Sequence, residues 1–280
     1  MRPELLSFTL GGADITLRAY STLYTLAFAL APLLGAWYAR RRGLPWKRAL
    51  AVYAGALVCG IVGARILDLF IASRLYAEDP SRIWAFSFTG FSLYGGLVLA
   101  TFAGVALARV ARTSAWQLAD AAVPALVLGQ VLMRTGCFLN GCCFGKMTEL
   151  PWGVEFQPAT AAWSYQLTTG ASGLLGTLLG TVRPVHPTQL YEMGGAVVCG
   201  AIALWLIRRH PDGTRAGAGV GFLAYALGFT LVRLGNGFLR ARVNTITAPE
   251  WFYPVLYLTL AAILAGLLVW RARAGKPTED

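Results

Sequence analysis

Seven stretches of this 280-residue chain are apolar over a length close to 20 residues, and no other feature limits its fold so strongly. A helix rises about 1.5 Å per residue and a bilayer's hydrocarbon core is about 30 Å thick, so each stretch matches one crossing. They run over residues 19–39, 48–72, 91–109, 116–134, 188–207, 218–236 and 251–270. In hydrocarbon every backbone N–H and C=O must find its partner within the protein, and a helix does this segment by segment. The sequence therefore predicts an all-α integral membrane protein with seven transmembrane helices, forming one domain over 1–280. The 162–182 stretch is fairly apolar too, but it carries Ser, Thr, Gln and several Gly, and is read as a loop or re-entrant element. Charged residues at 13% and hydrophobic residues at 56% exclude disorder and argue against a water-soluble domain.

A formal net charge of +11 would suggest nucleic acid in a soluble chain. Here the distribution of the positive residues carries the information instead. Arg40, Arg41, Arg42, Lys47 and Arg48 follow the first span; Arg109 and Arg112 follow the third; Arg208, Arg209 and Arg215 follow the fifth; Arg271, Arg273 and Lys276 follow the seventh. These are 13 of the 24 Lys and Arg residues, all after odd-numbered spans and in short segments. By the positive-inside rule the N-terminus is expected outside and the C-terminus in the cytoplasm, with the 135–187 segment outside as well. No nucleic-acid partner is expected. No basic n-region or small-residue cleavage pattern precedes Arg18, so residues 19–39 are read as an uncleaved span. No repeat of 20–50 residues and no dividing linker is evident.

Ionisable groups inside a span are costly and point to function, so their depth matters. Arg65 and Asp68 lie about 24 and 28 Å along span two from its inner end, Arg134 about 26 Å along span four and Arg233 about 22 Å along span six. His186, Gln189 and Glu192 stand where span five begins; Tyr20 and Tyr94 open spans one and three. Six spans thus bring polar or aromatic groups to one level near the outer headgroups, while Asp120 sits near the inner side. Arg65 and Asp68 have the i,i+3 spacing of an ion pair. Arg134 and Arg233 have no acidic residue within four positions. A lipid phosphodiester would suit their planar guanidinium forks; snorkelling to the interface or a pair with Glu192 are the alternatives. Gly95-Gly96 and Gly136, Gly141 and Gly145 mark the same level, as close-approach sites for a ligand or for another helix. Cys137, Cys142 and Cys143 crowd one outward loop. They could form a disulfide such as Cys137–Cys142, hold a reactive thiol or simply pack. C-x4-C-C is no recognised zinc spacing, so no metal is expected. Cys59 and Cys199 fall mid-span and read as packing residues.

These motifs resemble one family, the prolipoprotein diacylglyceryl transferases. Met133-Arg-Thr-Gly-Cys-Phe-Leu-Asn-Gly-Cys-Cys-Phe-Gly145 is similar to the family signature that begins G-R-x-G-N-F-x-N. His186-Pro-Thr-Gln-Leu-Tyr-Glu192 is similar to its H-P-[ST]-Q-L-Y-E motif almost residue for residue. Weaker likenesses are Ser92 to Gly96 with S-x-H-G-G, Arg18 to Tyr24 with the family's first-span motif, Gly63-Ala-Arg65 with G-x-R, and Arg233 to Arg240 with a sixth-span R-x-x-x-E-x-x-R stretch. The resemblance implies transfer of the diacylglyceryl group of phosphatidylglycerol to the lipobox cysteine of a prolipoprotein. The reaction would take place at the outer face of the bacterial cytoplasmic membrane, among membrane lipids and without a cofactor. It implies catalytic positions at Arg134, Arg233 and Tyr94. Substrate contact is implied at Tyr20, Arg65, Gly95, Gly96, Asn140, Gly145, His186, Gln189, Glu192 and Arg240. The departures concern proton handling. Tyr94 stands at the family's histidine, Cys137 at the signature's first Asn, Cys142 at its Glu, Gly237 at the sixth-span Glu and Phe229 at a family Tyr. Two other functions therefore stay open: a divergent paralogue using another lipid or acceptor, and a non-catalytic lipid-binding or scaffold protein.

Overall fold

The computed structural model describes residues 4–10, 13–71, 73–83, 93–158, 160–170, 173, 176, 180–209, 217–241 and 249–274. Arg215 and Lys276 of the positive clusters lie outside the described residues, as does the side chain of Tyr94. The described residues are mainly helical, with an N-terminal hairpin that the apolar pattern did not reveal: β1 (Glu4–Leu10) pairs antiparallel with β2 (Ala13–Arg18). The helices are α1 (Ala19–Arg41), α2 (Trp46–Ile71), α3 (Ser73–Glu78), α4 (Leu93–Val110), α5 (Ala115–Leu139), α6 (Ala161–Thr168), α7 (Thr188–Arg209), α8 (Val220–Leu239) and α9 (Phe252–Arg273). All except α3, α6 and α4 are long and apolar enough to cross a membrane, which makes six; α4 has a shorter apolar run, Gly95–Val110.

The pattern of burial is that of a protein solvated by lipid. Large apolar side chains point outward, with Phe70, Phe102 and Val110 at 76%, 70% and 81% exposure. The buried positions are dominated by alanine and by a few polar groups, among them Asp120, Gln189, Glu192 and Asn236. Lipid offers helices no hydrophobic reason to associate, so their contacts depend on close packing of small residues and on buried polar bonds.

Two compact units divide the chain, one of Phe28–Ala125 and one of Met1–Ala27 with Leu126–Asp280. In the first, Ala36, Ala39, Ala49, Val52, Ala108, Leu118 and Ala121 form the core. The turn between α1 and α2 is set by Gly43, whose φ of 76° allows the N–H groups of Gly43 and Leu44 to return to the carbonyls of Arg40 and Ala39. Pro45 then precedes the next helix. α2 and α4 pack tightly along their glycines: a Cβ on Gly63 would fall 2.5 Å from the carbonyl oxygen of Gly95.

In the second unit α7 packs on α8, and α8 on α9. Here the segment after α5 is a folded cap, where the sequence predicted only an exofacial loop. Phe144, Phe156, Ala162 and Val185 are buried together, with Phe138, Val154 and Tyr165 around them. Backbone bridges join Gly145 to Arg240, and Val185 to both Met147 and Val154. The fairly apolar stretch read as a loop or re-entrant element begins with α6, whose N-terminus is capped by the Thr160 side chain accepting from the N–H of Trp163.

Candidate functional site

The polar centre of the second unit is built around one carboxylate. Glu192 stands on the first turns of α7, buried to 3% exposure. Its Oε2 is approached by Arg134 Nη2 from α5 at 2.6 Å and by Arg233 Nη1 from α8 at 3.2 Å. Its Oε1 accepts from Asn236 Nδ2 at 3.0 Å. The pair with Glu192, one of the readings open for the two arginines, is formed. One carboxylate faces two guanidiniums, so the centre carries a surplus positive charge away from water.

The two arginines are not equivalent. Arg233 also donates from Nε and Nη2 to the Tyr257 hydroxyl on α9, both at 3.2 Å, so all three of its nitrogens are engaged. Arg134 spends one donor on Glu192, and a guanidinium has five. Its remaining N–H groups are the ones suited to a further anion.

Two buried acceptors near this cluster are unpaired among the described residues: Gln189 Oε1 and Asn236 Oδ1. Each amide is oriented by its own donors. Asn236 Nδ2 donates to Thr188 O and to Glu192; Gln189 Nε2 donates to Cys142 O at 2.6 Å. An unmade bond to a buried acceptor costs about 1–3 kcal/mol, so these oxygens suit a ligand that brings hydroxyl donors.

The loop after α5 is pinned to the start of α7. Thr188 Oγ1 donates to Cys143 O at 2.6 Å, and Gly145 N donates to His186 O at 2.9 Å. Gly145 allows this approach, since a Cβ there would fall 2.5 Å from His186 Cβ. Gly141 (φ 67°) and Cys143 (φ 61°) are both left-handed, which for cysteine costs about 1–2 kcal/mol. The result gathers Cys137, Cys142 and Cys143, whose sulfurs all lie within 4.8 Å of one another. All five cysteines of the chain are free thiols, so the Cys137–Cys142 disulfide is not formed. Cys143 is pulled well below the usual thiol range by hydrogen bonds from Cys137 and Cys142, with Arg240 and Arg134 adding positive charge. Cys142 is pushed up by its hydrogen bonds to the other two thiols and by burial.

The remaining predicted positions divide between the units. Tyr20 stacks near Tyr24, ring centroids 4.3 Å apart, with Gly136 of α5 against its backbone; the Tyr24 hydroxyl lies 3.5 Å from Cys137 Sγ. Asn140 is half-buried where α5 ends, its N–H bonded to Gly136 O. Arg240 closes the bridge to Gly145. The His186 ring is 3.2 Å from the Tyr191 hydroxyl, which also accepts from Trp152. Arg65, Tyr94, Gly95 and Gly96 belong to the first unit. There Arg65 lies over the Tyr76 ring, 5.4 Å from its centroid, and Tyr76 donates to Asp68 at 2.5 Å. Gly95 and Gly96 meet Gly63 and Gly60 of α2, the helix-packing role. Sequence reasoning missed Asn236 and Tyr257. A polar residue three positions after Arg233 was a usable signal for Asn236; a tyrosine near the start of an apolar helix gave none for Tyr257.

Long lipid-facing helices and a buried, net-cationic centre define a multi-pass membrane protein. The chain belongs to the prolipoprotein diacylglyceryl transferase family, whose profile matches residues 6–272. It is 28% identical over 272 residues to the phosphatidylglycerol–prolipoprotein diacylglyceryl transferase of Trichormus variabilis, covering 95% of this chain and 89% of that one. It is 30% identical to the transferases of the same name from Dehalococcoides mccartyi (226 residues, 80% and 77%) and Roseobacter denitrificans (243 residues, 81% and 77%). The family is one of bacterial membrane transferases.

Proposed function

We propose that this protein transfers the diacylglyceryl group of phosphatidylglycerol to the lipobox cysteine of prolipoproteins. The observation that carries the reading is the convergence of Arg134 and Arg233 on Glu192, which leaves a positive surplus and spare N–H donors on Arg134. A phosphodiester supplies the missing negative charge. A glycerol headgroup supplies hydroxyl donors for Gln189 Oε1 and Asn236 Oδ1, which a headgroup without N–H or O–H would leave unmet. As the bond from carbon to phosphate oxygen breaks, charge grows on the leaving glycerol phosphate, and Arg134 stabilises it there. Arg233, held by Glu192 and Tyr257, sets the geometry of the centre.

We read 1–280 as a single membrane domain with seven spans, α4 being the seventh, the N-terminus outside and the C-terminus cytoplasmic. The centre and the 135–187 segment then face outward from the bacterial cytoplasmic membrane, where secreted prolipoproteins and outer-leaflet lipid are both available. Basic residues at the ends of α1, α4, α7 and α9 support that orientation.

The test supplies the folded protein with labelled phosphatidylglycerol and a lipobox peptide. Labelled thioether product is expected, reduced on the order of 10²-fold or more in Arg134→Ala, with a smaller loss in Arg134→Lys. Folded protein giving no thioether product, or a strain lacking the transferase rescued equally by wild type and Arg134→Ala, would overturn the reading.

A further inference from the structure

Cys137, Cys142 and Cys143 come from two adjoining pieces of chain, the last turn of α5 and the loop that leaves it. Their sulfurs lie within 4.8 Å of one another. The loop is held in that shape mainly by bonds that do not involve the thiols. The exceptions are Cys142 Sγ, which donates to Cys137 O at 3.7 Å, and Cys137 Sγ, 3.5 Å from the Tyr24 hydroxyl, both of which a metal would replace. Cys142 N donates to Cys137 O, Ala162 N to Gly141 O, Gln189 Nε2 to Cys142 O and Thr188 Oγ1 to Cys143 O. Two left-handed residues, Gly141 and Cys143, make the reversal possible. Zinc–sulfur bonds of about 2.3 Å in a tetrahedron place sulfurs about 3.8 Å apart, so side-chain rotations of about 1 Å would close the cluster on an ion. Only three thiols are gathered, which is the donor count of a reactive zinc site with its fourth position open.

We propose that Cys137, Cys142 and Cys143 form a three-thiolate site for a thiophilic divalent cation, zinc, whose open position receives the acceptor thiol. The role of that position rests on the transferase reading above; the metal site itself does not. The chemistry fits because the acceptor is also a thiol. The lipobox thiol displaces a zinc-bound hydroxide, which leaves as water with the thiol proton. The resulting thiolate sulfur forms its bond to the glyceryl carbon, the bond from that carbon to phosphate oxygen breaks, and glycerol phosphate departs with the electron pair beside Arg134. A water then refills the open position and gives its proton to the departing glycerol phosphate, which carries it into bulk water as the hydroxide is restored. The arrangement supplies acceptor deprotonation without a histidine or glutamate base.

The experiment uses the full chain purified in detergent, stripped of metal and titrated with Co(II) as a spectroscopic probe, then with Zn(II). Wild type and a Cys59→Ser control should each take one equivalent. They should show thiolate-to-cobalt charge transfer with tetrahedral visible bands, which zinc abolishes by displacement. Cys137→Ser, Cys142→Ser and Cys143→Ser should each lose the charge-transfer band. As a check independent of variant folding, zinc should protect the three thiols of wild type from alkylation. Thiols alkylated equally with and without zinc, or mass mapping that finds Cys137 disulfide-linked to Cys142 or Cys143 in protein taken directly from membranes, would overturn the site. Transfer activity is read in parallel. Zinc bound without thioether formation defeats the transferase reading and leaves the site standing. Thioether formation unaffected by stripping the metal defeats the activating role.

Discussion

The unit of residues 28–125 and the unit built on α5, α7, α8 and α9 both contain arginine and glycine at span positions, yet they use them differently. In the first, Arg65 lies over Tyr76, and Gly63 and Gly95 let two helices touch backbone to backbone. In the second, Arg134 and Arg233 hold one buried carboxylate from two helices, and Gly145 lets a loop close against His186. Residue type and depth alone do not separate the two cases. What separates them is whether the charges balance locally and whether buried acceptors are left waiting. Among the described residues, the unpaired buried acceptors are Asn236 Oδ1 and Gln189 Oε1, both in the second.

That contrast is broken most directly at Glu192. Replacing it with alanine leaves two buried guanidiniums facing each other without a counter-charge, and removing one partner of such a cluster costs about 3–5 kcal/mol. Glu192→Ala should therefore lower the unfolding midpoint in detergent far more than Asp68→Ala, whose partner Tyr76 lies on a short helix outside the long spans. A smaller loss for Glu192→Ala than for Asp68→Ala would show that the two arginines do not depend on the carboxylate. Anionic lipid should partly restore Glu192→Ala if the centre accepts a phosphate.

The next effect tests the glycines. Gly95→Ala sets a methyl group against the Gly63 carbonyl and Leu67, and overpacking of this kind costs about 1–3 kcal/mol. Gly104→Ala is the control. A Cβ there meets only Ala56 Cβ, at an ordinary 3.7 Å, and the higher helix propensity of alanine should leave stability equal or slightly greater. If Gly95→Ala kept full thermal stability while losing activity, the glycine would be a substrate contact and its packing role secondary.

Much of this was legible from pattern. Span positions follow from apolar length, and each predicted stretch coincides with a helix to within a few residues, although α5 continues past Arg134 to Leu139. Local periodicity carries no information about partners far apart in the chain, so the sequence left the pairing of Arg134 and Arg233 with Glu192 as one reading among three. The cap over 135–187 was illegible for a related reason. Its core joins Phe144 and Phe156 to Val185 across irregular backbone, and no repeat of 2.0 or 3.6 residues announces such a cluster. The thiol cluster needed the two left-handed residues, which C-x4-C-C spacing does not reveal. Gly95 and Gly96 were visible as close-approach sites, but only the α2 glycines opposite them show what approaches.

The smallest effect probes the balanced side of the comparison. Tyr76 donates to Asp68, and that hydrogen bond raises the phenol above its ordinary value near 10, with burial adding to it and Arg65 opposing. A group whose folded pKa is raised contributes stability that is fully present below the unfolded value. That contribution is lost as pH rises through the folded one, so it fades only in the alkaline range above about pH 10. At neutral pH, Tyr76→Phe should cost no more than about 1 kcal/mol, the worth of one partly solvated hydrogen bond. The informative readout is spectrophotometric: Tyr76 should ionise late in an alkaline titration, and Tyr76→Phe should lower the late tyrosinate amplitude by one tyrosine. Asp68→Asn should instead move that one-tyrosine share to lower pH, because Arg65 then acts on the phenolate without an opposing carboxylate. If Asp68→Asn left the late component where it was, the bond between Tyr76 and Asp68 would not be what balances Arg65, and the first unit would hold an arginine with charge to spare, as the second does.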